Sequence, residues 1–225
     1  MIRKLPAVSI FLALLVCVTD SHALGNANVG KAKSANCAGC HGEDGNSTIP
    51  AFPKLAGQHK GYLVKQLQAF KSGFRMSAMM EPLAAGLDNQ TIDEIAEYYA
   101  SHKIAVNRAP DLSAAEDDEN NTKTEQQKKT ELENLIAKGG DLYRNGNLAT
   151  AVSACIACHG PFGEGNRPAD FPALHAQHAD YLIKTLTDFK NGVRTKNKEN
   201  MMSMITTKMS EAEIKAVAYY ISMMK

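Results

Sequence analysis

Cys37-Ala-Gly-Cys40-His41 and Cys155-Ile-Ala-Cys158-His159 each place two thiols and an imidazole within five residues, in a chain of 225 residues. Two cysteines separated by two residues can form a redox-active dithiol or supply half of a zinc site. Neither requires a histidine directly after the second cysteine. Thiols one helical turn apart can instead add across the two vinyl groups of a porphyrin, and the adjacent histidine then projects toward the iron. This spacing is the attachment signature of c-type haem. Its recurrence predicts two haem c groups, bound covalently through Cys37, Cys40, Cys155 and Cys158, with His41 and His159 as proximal iron ligands. A ligated histidine needs an acceptor on its other ring nitrogen, which fixes its tautomer and orientation. Pro53 and Pro172, twelve and thirteen residues after the two histidines, stand at aligned positions and offer carbonyls for that role.

A six-coordinate iron needs a second axial ligand, and a thioether there favours the ferrous state and raises the potential. Both halves offer a pair, Met79-Met80 and Met201-Met202, followed by the same register: an aliphatic residue (Leu83 or Ile205), two small residues, then Leu87 or Met209. Spacing does not separate the members of each pair. Met76, Met201 and Met204 read as packing sulfurs at the haem edge.

The elements that must position these groups are also duplicated. "AFPKLAGQHKGYLVKQLQAFKSGFR" (51–75) aligns without a gap with "DFPALHAQHADYLIKTLTDFKNGVR" (170–194), and residues 79–101 align with 201–223. A repeat this long indicates duplicated domains rather than a stacked array. Tyr62, Leu63, Leu67 and Phe70 share one helical face, as do Tyr181, Leu182, Leu186 and Phe189, and Gly73 and Gly192 stand where those helices should stop. Ser210 and Glu213 have capping-box spacing ahead of an apolar stripe of Ile214, Val217, Ala218 and Ile221. No alternating run suggests a sheet, so the expected fold is all-α: two tandem domains, each wrapped around one haem. His59 and His178 read as polar helix-entry or propionate-contacting residues, and His175 as exposed. Arg75 and Arg194 read as helix-dipole partners or propionate contacts.

Arg3 and Lys4, the apolar run from Leu5 to Val18 and the small residues around Ala23 read as a signal peptide over residues 1–23, too short for a spanning helix. An uncleaved anchor is the alternative. Removing this segment leaves four cysteines, all in the two motifs. An exported chain with four cysteines would ordinarily suggest disulfides, but the repeated spacing argues for haem. The expected location is the periplasm, with an N-terminal domain over 24–104, a linker over 105–137 and a C-terminal domain over 138–225. The linker holds eight acidic and four basic residues, a net −4, and reads as solvated, with helix after Thr124. No basic stripe interleaved with aromatic residues is present, so nucleic acid is not an expected partner.

CAGCHG, FPKLAGQ, YLVKQL, the methionine segment, EIAEYYAS and their second-half counterparts together resemble the dihaem cytochromes of the cytochrome c4 family. Each half resembles a class I cytochrome c, and the likeness covers nearly the whole mature chain. The resemblance implies that the axial methionine is the one separated by two residues from the aliphatic of the register, which selects Met80 and Met202 by the family's convention. It also implies an electron carrier rather than an enzyme, with a quinol-oxidising complex or small cytochrome as donor and a terminal oxidase as acceptor. No small-molecule substrate is expected, and peripheral membrane association is compatible with this reading. A dihaem subunit of a larger dehydrogenase, such as a flavoprotein oxidising sulfur compounds, would look much the same. A dihaem peroxidase would need an open or switchable His-ligated haem, against which the paired methionines in both halves argue. Two departures stand out: the linker is longer and more charged than the family usually shows, and Thr206-Thr207 replaces the Ala84-Ala85 pair, predicting more polar surroundings for the second haem.

Overall fold

The computed structural model describes residues 27–108, 123–194 and 200–225. The expected signal peptide and most of the linker centre lie outside them. The first half contains α1 (Ala27–Lys33), α2 (Ala35–His41), α3 (Lys60–Lys71), α4 (Met80–Ala85) and α5 (Asn89–Ala100). The second contains α6 (Glu125–Asn145), α7 (Ile156–His159), α8 (Ala179–Lys190), α9 (Met201–Thr206) and α10 (Glu211–Met223). Among the described residues the extended pairing is confined to two isolated bridges, Asn147 with Val152 and Asn166 with Phe171. The expected all-α fold is what forms.

Each half has its own core, packed against a last helix that the first helix crosses. Leu63, Ile95, Ala96, Tyr98 and Tyr99 make the first cluster. Leu142, Tyr143, Val152, Leu182, Met209, Ile214, Val217, Ala218 and Ile221 make the second. Glycine permits the close helix crossings. A Cβ on Gly30 would stand 2.4 Å from the Glu94 carbonyl oxygen, and one on Gly139 would stand 2.0 Å from that of Ala216. The central helices stop as expected: Ser72 and Asn191 cap α3 and α8, and Gly73 and Gly192 follow at φ +69° and +72°. That left-handed conformation carries no steric penalty in glycine.

The expected boundary between residues 137 and 138 falls inside α6. The first turns of this helix are largely exposed, and its second half packs Gly139, Gly140, Leu142 and Tyr143 into the C-terminal domain. Capping boxes open both α6 (Thr124 with Gln127) and α10 (Ser210 with Glu213). The two caps should differ in effect, because α10 carries Ile214 and Val217 into the core one turn later while α6 starts in solvent. Ser210→Ala should cost the C-terminal domain about 1 kcal/mol. Thr124→Ala should fray only an exposed turn and leave the urea midpoint of global unfolding unchanged.

Candidate haem sites

His41 closes α2 and His159 closes α7, and each is 7% exposed. Immediately after each, a glycine at positive φ (Gly42 at +84°, Gly160 at +77°) turns the chain away. The Nδ1 of His41 donates to the Pro53 carbonyl at 2.9 Å, and that of His159 donates to Pro172 at 3.0 Å. A carbonyl can only accept, so the proton sits on Nδ1 and the lone pair of Nε2 is left for a metal. Burial lowers the pKa of both imidazoles, opposed by the proline hydrogen bonds, so the neutral ligating form is favoured. Phe52 and Phe171, each preceding its proline, lie 6.3 and 6.4 Å from the two imidazole rings, centroid to centroid.

The four motif cysteines are free and half-buried. Burial raises the Cys37 thiol, with the neighbouring Cys40 adding to the effect, and burial pushes Cys155 up to about 11. The zinc alternative would need further ligands close by. Among the described residues no group of three or more His, Cys, Asp and Glu side chains is arranged to hold a metal ion.

The methionine pairs open the short helices α4 and α9. Met79 and Met201 are 52% and 51% exposed, whereas Met80 and Met202 are half-buried. Ser77 Oγ accepts from Met80 N–H at 3.2 Å, and Asn200 Oδ1 accepts from Met202 N–H at 3.0 Å, so each second methionine has its backbone pinned at a helix start. Met76 and Met204 are exposed, 52% and 57%. Thr206, fully buried, spends its hydroxyl on the Met202 carbonyl at 2.8 Å, and Thr207 bonds the Ser203 carbonyl at 2.9 Å. Both hydroxyls are therefore satisfied within α9. The added polarity expected from this pair turns onto the helix backbone.

The two halves dock through reciprocal contacts, the pattern of a two-fold interface inside one chain. His59 and His178 stand at the starts of α3 and α8 as expected, but their rings cross to the other half. His59 Nε2 donates to the Glu164 carbonyl at 2.6 Å, and His178 Nε2 donates to that of Ser47 at 2.8 Å. Arg75 stacks on Phe70 and donates to Gln66 and Tyr181, and Arg194 stacks on Phe189 and donates to Tyr62. Among the described residues neither guanidinium pairs with a carboxylate. Burial raises the Tyr181 phenol, but the two guanidiniums overcome this and hold it below the usual phenol range. His175, expected to be exposed, is half-buried with Nδ1 donating to the Gly163 carbonyl at 3.1 Å.

Residue-level reading of the sequence passed over Gln58 and Gln177. Each side-chain amide brackets the backbone of one residue in the opposite half: Gln177 holds Lys54, and Gln58 holds Ala173. The available signal was their identity at aligned positions of the ungapped repeat.

The donor set fits the cofactor that the motif implies. Each half has two free thiols, a neutral imidazole with one nitrogen already engaged, and a half-buried methionine whose backbone is pinned at a helix start.

A family model for cytochrome c matches residues 27–103 and 136–225. Cytochrome c4 of Pseudomonas aeruginosa is 41% identical over 202 residues, covering 89% of this chain and 90% of that protein. A thiosulfate dehydrogenase electron acceptor of Stutzerimonas stutzeri is 35% identical over 185 residues, covering 82% of this chain and 76% of that protein. Among solved structures, reduced recombinant cytochrome c4 from Pseudomonas stutzeri superposes with a TM-score of 0.76 at 37% identity, covering 89% of this chain and all of that one.

Proposed function

Because the chain belongs to the cytochrome c4 family, whose members are dihaem electron-transfer proteins and not enzymes, we propose that it carries single electrons between respiratory components of the periplasm, toward a terminal oxidase. In this reading Cys37 and Cys40 hold one haem and Cys155 and Cys158 the other. His41 and Met80 ligate the first iron, His159 and Met202 the second, and Pro53 and Pro172 orient the histidines. Bound haem supplies a one-electron couple, and the chain does the rest. The proline carbonyls accept from His41 and His159, which keeps each proton on Nδ1 and each Nε2 lone pair directed to the iron. Fixed ligands mean that little has to rearrange as the charge state changes.

The duplicated donor set, with a proline carbonyl on each histidine, is the observation that carries this reading. Export rests on residues 1–23, with the domains at 24–104 and 138–225. No helix among the described residues is long and apolar enough to cross a membrane. Peripheral association with one is part of this reading.

A second reading draws on the relatives named thiosulfate dehydrogenase electron acceptors: the immediate donor is a sulfur-compound dehydrogenase. Stopped-flow mixing separates the two. The oxidised holoprotein is mixed with a thiosulfate dehydrogenase and thiosulfate, or with quinol-reduced membranes, and reoxidation by oxidase-containing membranes is followed. Rapid reduction by quinol-reduced membranes and rapid reoxidation support the respiratory carrier. Reduction only by the dehydrogenase supports the second reading. A high-spin ferric fraction that turns over peroxide would overturn both.

A further inference from the structure

The peptide group between Pro53 and Lys54 is engaged at both ends. Its carbonyl accepts the Nδ1 proton of His41 at 2.9 Å, while its N–H, on Lys54, donates to Gln177 Oε1 of the other domain at 2.8 Å. The peptide between Pro172 and Ala173 repeats this. Its carbonyl accepts from His159 at 3.0 Å, and its N–H donates to Gln58 Oε1 at 2.9 Å. Each glutamine closes the clamp by donating Nε2 to the carbonyl of the same bracketed residue, Lys54 at 2.9 Å or Ala173 at 2.8 Å. Gln58 and Gln177 are themselves buried, 8% and 6% exposed.

The histidines beside them grip the loops after the opposite motifs. The Ser47 carbonyl that takes the His178 proton belongs to the residue whose hydroxyl caps the Cys40 carbonyl at 2.8 Å. The Glu164 carbonyl that takes the His59 proton precedes Gly165, whose N–H donates to the His159 carbonyl at 2.8 Å.

We propose that Gln58 and Gln177 are positioning residues for the haem ligand of the opposite domain: Gln177 sets the hydrogen bond on His41, and Gln58 the one on His159. The inference rests on the reading of those histidines as iron ligands. Its physical basis is the planarity of the peptide and the mutual polarisation of hydrogen bonds in series. An acceptor on the peptide N–H makes its carbonyl a stronger acceptor, and the histidine becomes a more basic ligand. A more basic histidine favours ferric iron. Removing the glutamine acceptor should therefore raise the potential of the haem in the other domain and leave that of its own domain unchanged.

The test is a redox titration of the holoprotein resolved into its two haems, whose waves are first assigned with Met80→Ala and Met202→Ala. At fixed ambient potential, Gln58→Met should raise the reduced-to-oxidised ratio of the C-terminal haem alone. The expected factor is roughly two- to tenfold, the size of one neutral hydrogen bond. Gln177→Met should do the same to the N-terminal haem. The Glu variants keep and strengthen the acceptor, so they should move the same haems in the opposite direction, and they carry the test if a Met variant fails to assemble. Lys65→Ala removes the cross-domain ion pair of the exposed Lys65 with the half-buried Asp170, and should move neither wave. A shift in the variant's own domain, equal shifts of both haems, or no shift in a chain with two haems would overturn the clamp. Haem content and the methionine–iron band of the wild type report separately on the ligands. If either lacks its expected value, the ligand reading falls with the clamp.

Discussion

Met202→Ala should abolish half of the weak red methionine–iron absorption of the ferric protein, and Met201→Ala should leave it whole. The two residues are adjacent in ENMMSM and chemically identical, so the difference has to come from their surroundings. Met201 is 51% exposed, while Met202 is half-buried, with its N–H on Asn200 and its carbonyl on the Thr206 hydroxyl. Truncation at 202 removes a thioether that favours ferrous iron. One wave of the titration should fall by on the order of 0.1 V, a modest part of the roughly 0.8 V that axial ligands span. The same pair of experiments applies at Met80 and Met79. If Met201→Ala removed the band and Met202→Ala spared it, the assignment would move one residue.

Gly139→Ala should destabilise the C-terminal domain by about 3 kcal/mol and leave the N-terminal domain at its original urea midpoint. In an isolated helix the change would help, since alanine is favoured over glycine by about 1 kcal/mol. Here the new methyl would sit 2.0 Å from the Ala216 carbonyl oxygen. That atom is backbone of α10 and cannot swing aside, so the helices must separate, and overpacking of this kind costs about 1–3 kcal/mol or more. Loss of contact along the crossing would loosen Leu142, Tyr143, Val217 and Ile221 together. Gly30→Ala should do the same to the first domain, where Glu94 and Tyr98 stand in the way. Gly86, whose added Cβ would meet nothing within 4 Å, is the control. Domain-resolved denaturation followed through haem absorption separates these outcomes. Equal midpoints for Gly139→Ala and Gly86→Ala would overturn the account.

The chemistry of the sites was legible in the chain because covalent attachment imposes strict local spacing. Two thiols and a histidine must lie within five residues, and a duplicated chain displays that constraint twice. The proline acceptors could be read for a similar reason: a rigid loop returns at nearly constant distance after each motif, and both hydrogen bonds form. Helix ends announced by Gly73, Gly192 and Ser210 also formed, because caps depend on neighbours a few residues away.

What the chain alone did not disclose involves partners distant in sequence. Gly139 lies two residues past the expected linker boundary, and its role appears only when α6 crosses α10. Arg75, Arg194, His59 and His178 carried helix-end signals; the two histidines do open their helices, while the two arginines lie beyond the helix ends at Lys71 and Lys190. Their side chains reach across to the other domain because a pseudo-two-fold docking brings unlike segments together. Gln58 and His159 are 101 positions apart, and no spacing rule links them. Local chemistry wrote the haem motifs into the sequence, while the packing of one domain on the other decides which residues press on each histidine.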